Sequence, residues 1–353
     1  MQSIITSAYA VHFNQKGFDA LNEYLTARHY SKVFVLVDEN TKRLCLPHFR
    51  NNLDNEVSFQ LLEIISGEEH KNIQSCMLVW EALSEGDADR KSLLINLGGG
   101  VLTDLGGFVA STFKRGIDFI NIPTTLLAMV DASVGGKTGV DLGPLKNQIG
   151  VINQPQMVLV VPSFLKTLEE RQLRSGFAEM LKHGLIQDAR YWKLLKSITG
   201  FDRMEHLIYT SVEIKNKVVM EDPTERGLRK ILNFGHTLGH AIESHFLESP
   251  DREALLHGEA IAAGMILEAY LSQRICGLSP EETDDIKTQF LLRYPKPDFS
   301  EGDMGQILRL LKFDKKNAHG NINFVLLEGI GKPVIDVRVP DHLFRDAFAY
   351  FKE

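Results

Sequence analysis

The sequence predicts an α/β N-terminal domain with a Rossmann-like parallel sheet, followed by a mainly α-helical C-terminal domain. Two observations lead to this prediction. Short apolar runs alternate with amphipathic segments in the first half, and long helical segments fill the second half. Strands that alternate with helices form parallel sheets. A chain of 353 residues has the length of two domains, and we expect them to span residues 1–165 and 166–353.

Each element follows from the spacing of its apolar residues. The predicted strands are residues 32–38, 57–64, 92–97 and 157–161. The predicted helices of the first half are residues 17–28, 41–53, 73–84 and 105–112. Those of the second half are residues 176–186, 205–219, 237–245 and 259–275. Residues 298–305 follow two prolines and are expected to form a surface loop.

Composition indicates a soluble enzyme. The chain is 44% hydrophobic and 24% charged, with a formal net charge of -7 and no basic run, which argues against nucleic-acid binding. No stretch approaches the roughly 20 apolar residues that span a bilayer, and the N-terminus lacks the pattern of a signal peptide. The three cysteines form no CxxC pair. We therefore expect a cytoplasmic protein without nucleic-acid or membrane partners.

Two histidines four residues apart, His236 and His240, are the first candidates for a metal or proton-transfer site. On a helix they lie on one face, about one turn apart. Two imidazoles and a carboxylate can hold Zn²⁺ while a fourth position stays open for substrate. A further ligand must come from elsewhere in the chain, and both His257 and Glu179 are candidates.

A glycine run, residues 98–100, follows a predicted strand and leads into a helix. Glycines at such a turn let backbone N–H groups approach a pyrophosphate, so the run suits a dinucleotide although it is not GxGxxG. Asp38 and Asn40 end another strand, where they can receive ribose hydroxyls or an adenine edge. Glu68 and Lys71 follow a third strand. Ligands of open α/β sheets bind at these carboxyl ends.

A second glycine-rich segment, Gly135-Gly136-Lys137-Thr138, superficially resembles a P-loop. The first glycine of Walker A would fall at Val130 or Asp131, neither of which is a glycine, so ATP hydrolysis is disfavoured. The residue types still suit an anionic ligand: Lys137 and Lys146 can bind negative groups, and Thr124 and Thr125 can hydrogen-bond hydroxyls.

Together these segments carry a family resemblance. The motifs that carry it are Gly67-Glu68-xx-Lys71, Gly98-Gly99-Gly100-Val101-xx-Asp104, Phe113-Lys114-Arg115-Gly116, Pro123-Thr124-Thr125, Asp131-xxx-Gly135-Gly136-Lys137-Thr138, Lys146-Asn147, Gly176-xx-Glu179-xx-Lys182-His183-Gly184, Asn233-Phe234-Gly235-His236-Thr237-xx-His240, His257-Gly258-Glu259 and Asp314-Lys315-Lys316. In this order, from about residue 38 to residue 316, the chain resembles the 3-dehydroquinate synthases of the sugar phosphate cyclase superfamily.

The resemblance implies an NAD-dependent and divalent-metal-dependent lyase. Its expected substrate is 3-deoxy-D-arabino-heptulosonate 7-phosphate, and its expected product is 3-dehydroquinate, of the shikimate pathway. In the family, NAD⁺ transiently oxidises a ring hydroxyl, phosphate is eliminated, the ketone is reduced back, and an intramolecular aldol reaction closes the ring. The metal is Zn²⁺ or Co²⁺, a choice that the donor types leave open.

The resemblance also implies a role for each matching residue. Glu179, His236 and His257 become the metal ligands, while His240 contacts the phosphate and assists proton transfer. The other expected catalytic and substrate-binding residues are Lys137, Asn147, Lys182, Lys215, Arg229, Asn233, Lys315 and Asp131, with Arg115 donated across a homodimer interface. The expected cofactor-binding residues are Asp38, Asn40, Glu68, Lys71, Gly99, Gly100, Val101, Asp104, Thr124, Thr125, Lys137, Lys146, Phe164 and Thr167. Spacing does not separate Lys315 from Lys316.

Three other functions compete with this one. Another sugar phosphate cyclase, such as 2-deoxy-scyllo-inosose synthase or a valiolone-type synthase, would use the same cofactors. Substrates without a carboxylate would not need Arg229 and Lys315 as a pair, so their presence favours dehydroquinate synthase. A polyol dehydrogenase has no use for the phosphate-binding lysines. A non-catalytic scaffold would not need the metal ligands, the cofactor-binding turn and the anion-binding cations all together.

Overall fold

A computed structural model of the chain describes residues 1–143, 145–249, 251–311 and 322–353. The chain divides into two compact units. Unit 1 comprises Met1–Glu169 and Arg203–Asn216, and unit 2 comprises Glu170–Asp202 and Lys217–Glu353. The segment Arg203–Asn216 thus groups with the N-terminal part of the chain, which sequence periodicity did not indicate. The predicted functional domains, 1–165 and 166–353, stay a prediction.

The described residues form strands and helices in the following order. The strands are β1 (Ile4–Ile5), β2 (Ala10–Phe13), β3 (Val33–Asp38), β4 (Gln60–Ile64), β5 (Leu93–Gly98), β6 (Asp118–Pro123), β7 (Lys137–Leu142), β8 (Leu145–Ile152), β9 (Met157–Val160), β10 (Phe324–Gly329) and β11 (Lys332–Val337). The helices are α1 (Asn14–Arg28), α2 (Glu39–Leu44), α3 (Leu46–Asn51), α4 (Ile73–Glu85), α5 (Gly100–Thr112), α6 (Glu170–Gln187), α7 (Ala189–Lys196), α8 (Glu205–Glu221), α9 (His236–Leu247), α10 (His257–Ile275), α11 (Pro280–Leu291), α12 (Glu301–Leu310) and α13 (His342–Lys352).

Unit 1 contains a seven-stranded sheet in the order β1-β2-β9-β6-β5-β3-β4. Its pairs are parallel except for β1 with β2. Asp38 pairs with Ile64, and Gly98 pairs with Pro123. The carboxyl ends of β3, β4, β5 and β6 therefore lie along one edge, where a parallel sheet binds its ligands. The predicted α/β fold class is confirmed.

Close packing brings helix α5 onto the sheet. All six residues of β5 are buried, as expected for a central strand that is covered on both faces. A Cβ atom at Gly106 of α5 would lie 2.0 Å from Asn96 Oδ1 of β5, so glycine allows this approach. The first turn of α5, beside the glycine run, is thereby fixed at the edge where the strands end.

Unit 2 is organised around α10. This helix is buried at most of its positions and packs against α6, α9, α11, α13 and the β10–β11 hairpin. A helix that is apolar around most of its circumference belongs in a core. Since α6 and α9 are both neighbours of α10, the residues at the facing positions of these helices lie close together.

The structure corrects several details of the predicted elements. The surface loop expected at residues 298–305 is wrong, because α12 begins at Glu301. Ser300 and Asp303 form a capping box there, and Met304 and Ile307 are buried at helical spacing. The helix expected at residues 41–53 is broken into α2 and α3 beside a proline.

Sequence analysis also missed the β7–β8 and β10–β11 hairpins. Among the described residues, no helix has the length and apolar character needed to cross a membrane.

Candidate active site

Three side chains from separate segments of unit 2 converge. Glu179 lies in α6, His236 is the first residue of α9, and His257 is the first residue of α10. Glu179 Oε1 lies 3.4 Å from His236 Nε2 and 3.7 Å from His257 Nε2. One donor atom from each of the three residues falls within 4.8 Å of the others. One carboxylate and two imidazoles in this arrangement fit a divalent metal that keeps a coordination position open.

The other ring nitrogen of each histidine has its own partner. His236 Nδ1 lies 3.2 Å from the backbone oxygen of Phe234, and His257 Nδ1 lies 3.1 Å from Glu243 Oε2. Hydrogen bonds of this kind fix the tautomer and orientation of metal-binding imidazoles. Both rings are therefore held with Nε2 directed towards Glu179. Glu243 lies in α9, and the sequence analysis predicted no role for it.

His240 lies beside the two other imidazoles. Its ring centroid is 5.1 Å from that of His236 and 5.8 Å from that of His257. Together with Glu243 and His257 it also offers a second group of three donors within 4.8 Å. His236 and His240 therefore lie on one helix with their rings close together, as predicted. These distances do not test the predicted division of roles, in which His236 binds metal and His240 contacts the phosphate.

The electrostatics of the group favour a cation. Burial alone would lower the pKa of His257, but the carboxylates of Glu243 and Glu179 outweigh it and raise that pKa to about 10. The field that favours an imidazolium favours a bound divalent cation at the same place. Lys182, which is also buried, contacts Glu179 Oε2 with its ammonium group.

Glycine packing sets the start of both helices. Gly235, which precedes His236, has a φ of +79°, and a Cβ atom there would lie 2.2 Å from Met265 Cγ. A Cβ atom at Gly258 would lie 2.0 Å from the backbone oxygen of Ser175 on α6. Larger residues at either position would push the helices apart, so these glycines bring the three donor-bearing segments together.

An arginine fixes the chain that leads into α10. Arg171 of α6 donates from Nε to Glu259 Oε1 at 2.7 Å and from Nη2 to Glu259 Oε2 at 2.8 Å. Its Nη2 also donates to the backbone oxygen of Ala254 at 3.0 Å. Glu259 in turn accepts the Leu256 N–H at 2.8 Å. This bidentate pair anchors the segment immediately before His257.

The turn between α8 and α9 carries two more predicted residues. Arg229 is 1% exposed and donates from Nη1 to the backbone oxygen of Pro223 at 2.8 Å. Asn233 Nδ2 donates to Glu225 Oε1 at 2.8 Å. Asp222 accepts three backbone N–H groups of this turn, including that of Arg229 at 3.1 Å, and so holds its shape.

The predicted cofactor residues of unit 1 follow the carboxyl ends of its strands. Asp38 ends β3 and accepts the Thr41 N–H at 2.7 Å, and Asn40 Nδ2 donates to Ser66 Oγ at 3.2 Å. The neighbouring Glu39 accepts the Ser66 N–H at 3.0 Å. The ends of β3 and β4 are thereby tied together at the edge where the glycine run also lies.

The glycine run forms the strand-to-helix turn that the sequence predicts. Gly99 is the N-cap of α5, and Gly100, Val101 and Asp104 lie in the first turns of the helix. The Thr124 N–H donates to Gly98 O at 3.0 Å, and a Cβ atom at Gly99 would lie 3.0 Å from Thr125 Cγ2. Both threonines therefore border the helix N-terminus, where backbone N–H groups can receive an anion.

Two buried lysines and their half-buried partners join the predicted residues of the β7–β8 hairpin to those after β4. Lys71 Nζ donates to Asp104 Oδ2 and Asn147 Oδ1, both at 2.7 Å, and Lys146 Nζ lies 2.8 Å from Glu68 Oε1. Burial lowers the pKa of Lys71, but Asp104 and the other nearby carboxylates outweigh it and raise that pKa.

Asp141 also belongs to this network and was missed by sequence analysis. It accepts the Asn147 N–H at 2.6 Å and lies 3.3 Å from Lys146 Nζ. It therefore holds two of the predicted residues. No periodic pattern marks such a residue in the sequence, because its partners lie in the other strand of the β7–β8 hairpin.

The remaining predicted residues of unit 1 lie at separate places. Lys215 Nζ donates to Asp131 Oδ1 at 2.6 Å, and Lys137 begins β7. Phe164 is buried, and Thr167 Oγ1 donates to its backbone oxygen at 2.8 Å. Arg115 is exposed and borders a cleft of about 440 Å³. Lys315 and its neighbour Lys316 lie outside the described residues.

Comparison with known families matches most of the chain. The 3-dehydroquinate synthase N-terminal family matches residues 61–175, and the 3-dehydroquinate synthase C-terminal family matches residues 176–317. The chain belongs to the 3-dehydroquinate synthase family. One relative, the 3-dehydroquinate synthase of Parabacteroides distasonis, is 40% identical over 340 residues, which cover 94% of this chain and 95% of the relative.

Solved structures of related cyclases share the fold. A 2-deoxy-scyllo-inosose synthase, complexed with carbaglucose-6-phosphate, NAD⁺ and Co²⁺, has a TM-score of 0.84 at 23% identity and covers 98% of this chain and 99% of its own. The 2-epi-5-epi-valiolone synthase of Streptomyces hygroscopicus, with NAD⁺ and Zn²⁺ bound, has a TM-score of 0.82 at 25% identity and covers 100% and 99%. The identity to named 3-dehydroquinate synthases favours that function over the alternative cyclases.

Proposed function

We propose that this 3-dehydroquinate synthase family member eliminates phosphate from 3-deoxy-D-arabino-heptulosonate 7-phosphate and closes the product ring to 3-dehydroquinate. The observation that carries the proposal is the convergence of Glu179, His236 and His257 in unit 2. A lyase of this family needs NAD and a divalent metal. The chain offers a fitting donor set for the metal and a strand-to-helix turn that is suited to a dinucleotide.

The cofactor site is proposed in unit 1. The turn from Gly99 to Val101 provides backbone N–H groups for the pyrophosphate, and Asp38 and Asn40 are placed for ribose or adenine contacts. Bound NAD⁺ would supply transient oxidation of a substrate hydroxyl, which acidifies the adjacent C–H. The other residues proposed to contact it are Glu68, Lys71, Asp104, Thr124, Thr125, Lys137, Lys146, Phe164 and Thr167.

The metal site is proposed in unit 2, on Glu179, His236 and His257. A bound Zn²⁺ or Co²⁺ would act as a Lewis acid that lowers the pKa of substrate hydroxyls. Glu179 supplies a negative charge, and the two imidazoles are oriented by Phe234 and Glu243. The donor set leaves Zn²⁺ and Co²⁺ as alternatives, since both accept mixed oxygen and nitrogen ligands.

The substrate carries two anionic groups, and the chain supplies cations for both. We assign Arg229 to the carboxylate, because a guanidinium can hold a carboxylate through two hydrogen bonds. Lys315 is proposed as its partner, and Lys316 is the alternative at that position. His240 is proposed to contact the phosphate and to exchange a proton, which an imidazole does near neutral pH. The remaining proposed contacts are Lys137, Asn147, Lys182, Lys215, Asn233 and Asp131.

The protein is further proposed to work as a cytoplasmic homodimer. Arg115 is exposed and lies in the turn after α5, where its φ of +75° falls in the left-handed region. An exposed cation on a fixed turn can reach a partner's substrate. Sedimentation analysis tests the dimer, and mixing Arg115→Ala subunits with inactive His240→Ala subunits tests the exchange. Recovery of activity in the mixture supports donation across the interface, and no recovery contradicts it.

One assay tests the proposed reaction. We expect purified protein with NAD⁺ and divalent metal to release phosphate from the heptulosonate phosphate without accumulating NADH, because the hydride returns to the substrate. Chelation should stop phosphate release, and added Zn²⁺ or Co²⁺ should restore it. Steady accumulation of NADH would indicate a dehydrogenase instead. Failure of metal to restore turnover after chelation would contradict the proposed role of the metal.

A further inference from the structure

Glu268, a buried residue of α10, contacts the turn that carries His236. Its side chain is fully buried, and its two carboxylate oxygens accept different backbone N–H groups. Oε2 accepts the Gly235 N–H at 2.6 Å, and Oε1 accepts the Leu238 N–H at 3.1 Å. These two N–H groups lie on either side of His236 along the chain. The carboxylate therefore holds the first turn of α9 by two hydrogen bonds, one on each side of the residue proposed to bind metal.

This contact replaces a helix cap that the local sequence cannot supply. The first N–H groups of a helix have no acceptor inside the helix, and a side chain at the N-cap usually accepts from one of them. The N-cap of α9 is Gly235, which has no side chain, and Met265 leaves no space for one. The acceptor comes instead from α10. The partial positive charge at the helix N-terminus in turn stabilises the buried carboxylate.

The same turn also connects Glu268 to the imidazole of His236. Phe234, whose backbone oxygen lies 3.2 Å from His236 Nδ1, directly precedes the Gly235 N–H that Glu268 holds. A movement of this turn would therefore rotate the histidine ring. The negative charge of Glu268 has a second effect, because it offsets the positive end of α9, which would otherwise repel a cation bound to the first residue of the helix.

We infer that Glu268 is a positioning residue for metal binding: it fixes the His236 imidazole through the Gly235 turn and neutralises the N-terminus of α9. The inference rests on the proposed assignment of His236 as a metal ligand. A plain structural cap would stabilise the fold equally but would leave the affinity of the folded protein for metal unchanged. Metal affinity and the state of the His236 ring therefore distinguish the two roles.

The test compares Glu268→Gln with a matched control, Ser272→Ala. Ser272 is equally buried on α10, where its hydroxyl donates to the Glu268 backbone oxygen and accepts the Leu327 N–H, so its loss spares the carboxylate. Zn²⁺ is titrated into the chelated full-length protein against a chromophoric competitor. We expect the dissociation constant of Glu268→Gln to rise about 10-fold to 100-fold, as for other residues that orient metal ligands, and that of Ser272→Ala to stay within about 2-fold.

A spectroscopic measurement accompanies the titration. In ¹⁵N-histidine-labelled metal-free protein, the ring resonances of His236 should shift in Glu268→Gln and stay in place in Ser272→Ala. Wild-type affinity in folded Glu268→Gln would overturn the inference, and so would equal losses of affinity in both variants. If Glu268→Gln does not fold, Glu268→Asp takes its place, since its shorter carboxylate cannot hold both N–H groups and should weaken metal binding at least about 3-fold.

A third variant separates this inference from the proposed ligand set. His236→Ala should lose most of its affinity for Zn²⁺. If it binds Zn²⁺ as tightly as the wild type, the ligand assignment fails together with the inference that rests on it. If His236→Ala loses affinity while Glu268→Gln retains it, the ligand assignment stands and the role of Glu268 is refuted.

Discussion

Replacing Lys71 with methionine should destabilise unit 1 through a single half-buried carboxylate, that of Asp104. The Lys71 side chain is 6% exposed, and its ammonium donates to Asp104 Oδ2 and Asn147 Oδ1, both at 2.7 Å. Methionine keeps most of the aliphatic volume but offers no donor and no charge. In the variant, Asp104 keeps its charge in a half-buried place from which its closest cation is gone. This uncompensated carboxylate is the expected source of the lost stability.

The magnitude follows from the distance and the burial. Two unit charges 2.7 Å apart attract by about 6 kcal/mol at an effective dielectric constant of 20. Removing one member of a buried pair typically costs about 3–5 kcal/mol. The Asp104 side chain is 18% exposed, so water can solvate it in part. We therefore expect Lys71→Met to lower the free energy of unfolding by about 3 kcal/mol at pH 7.

The dependence on pH has a definite sign. Because the pKa of Lys71 is raised in the folded protein, its stabilisation is complete below the unfolded lysine pKa and is lost only as the solution becomes strongly alkaline. Burial raises the pKa of the Asp104 carboxyl even with Lys71 beside it, and loss of this cation in the variant should raise that pKa further. Protonation of Asp104 at mildly acidic pH then removes its uncompensated charge and restores part of the variant's stability. The difference in stability should therefore be smaller near pH 5 than at pH 7.

Urea unfolding, followed by a double-mutant cycle, measures the effect. Lys42→Met is the matched control, because Lys42 forms an exposed pair with Glu63 at 2.5 Å and its loss should cost less than about 1 kcal/mol. Lys71→Met combined with Asp104→Asn should recover about 2 kcal/mol relative to the sum of the single variants. Additive single effects, or equal losses in the Lys71 and Lys42 variants, would refute the reasoning.

Three further predictions concern unit 2. His257→Ala should remove bound metal more completely than His240→Ala, as measured by elemental analysis, and equal losses would overturn the ligand assignment. Gly264→Ala should cost at least about 2 kcal/mol in thermal unfolding, since its Cβ would lie 2.1 Å from a carbonyl oxygen at the start of α9, whereas Gly305→Ala, with open space, should be neutral or stabilising. Hydrogen bonds from a serine, a histidine and an arginine outweigh burial and lower the pKa of Asp303. Asp303→Asn should therefore lose about 1–3 kcal/mol at pH 7, and this difference should begin to shrink below the ordinary aspartate pKa and disappear only when the pH falls below the lowered pKa of the folded protein; a difference as large at pH 2 as at pH 7 would contradict this.

Much of the fold was accessible from local patterns. The apolar run that became β5 and the helical spacing of α4 are signals that lie within one element, so periodicity finds them. The loop predicted at residues 298–305 failed because the two prolines before it were interpreted as loop signals, while the capping box of Ser300 was overlooked. The hairpins were missed because their pairing depends on contacts between strands.

The candidate site also contains residues that the sequence predicted and residues that only the packed structure identified. Sequence motifs named Glu179, His236 and His257 as a group, although composition and helical spacing alone left open which residue completes the pair of histidines. Glu243 and Glu268 received no role. A glutamate inside a helix is ordinary in sequence, and its partners become visible when α9 and α10 pack together.

The sequence by itself determined the family, the α/β class of the first half, and the residue types that suit NAD, a divalent metal and an anionic substrate. These properties depend on short motifs and on the periodicity of apolar residues. Both kinds of pattern lie within a few helical turns or one strand. The tertiary structure decided which carboxylates support those residues: the buried Glu243 behind His257, the buried Glu268 beneath the turn of His236, and the half-buried Asp141 between Lys146 and Asn147. A buried polar partner is specified by distance and desolvation, and neither is set until segments far apart in the chain have packed.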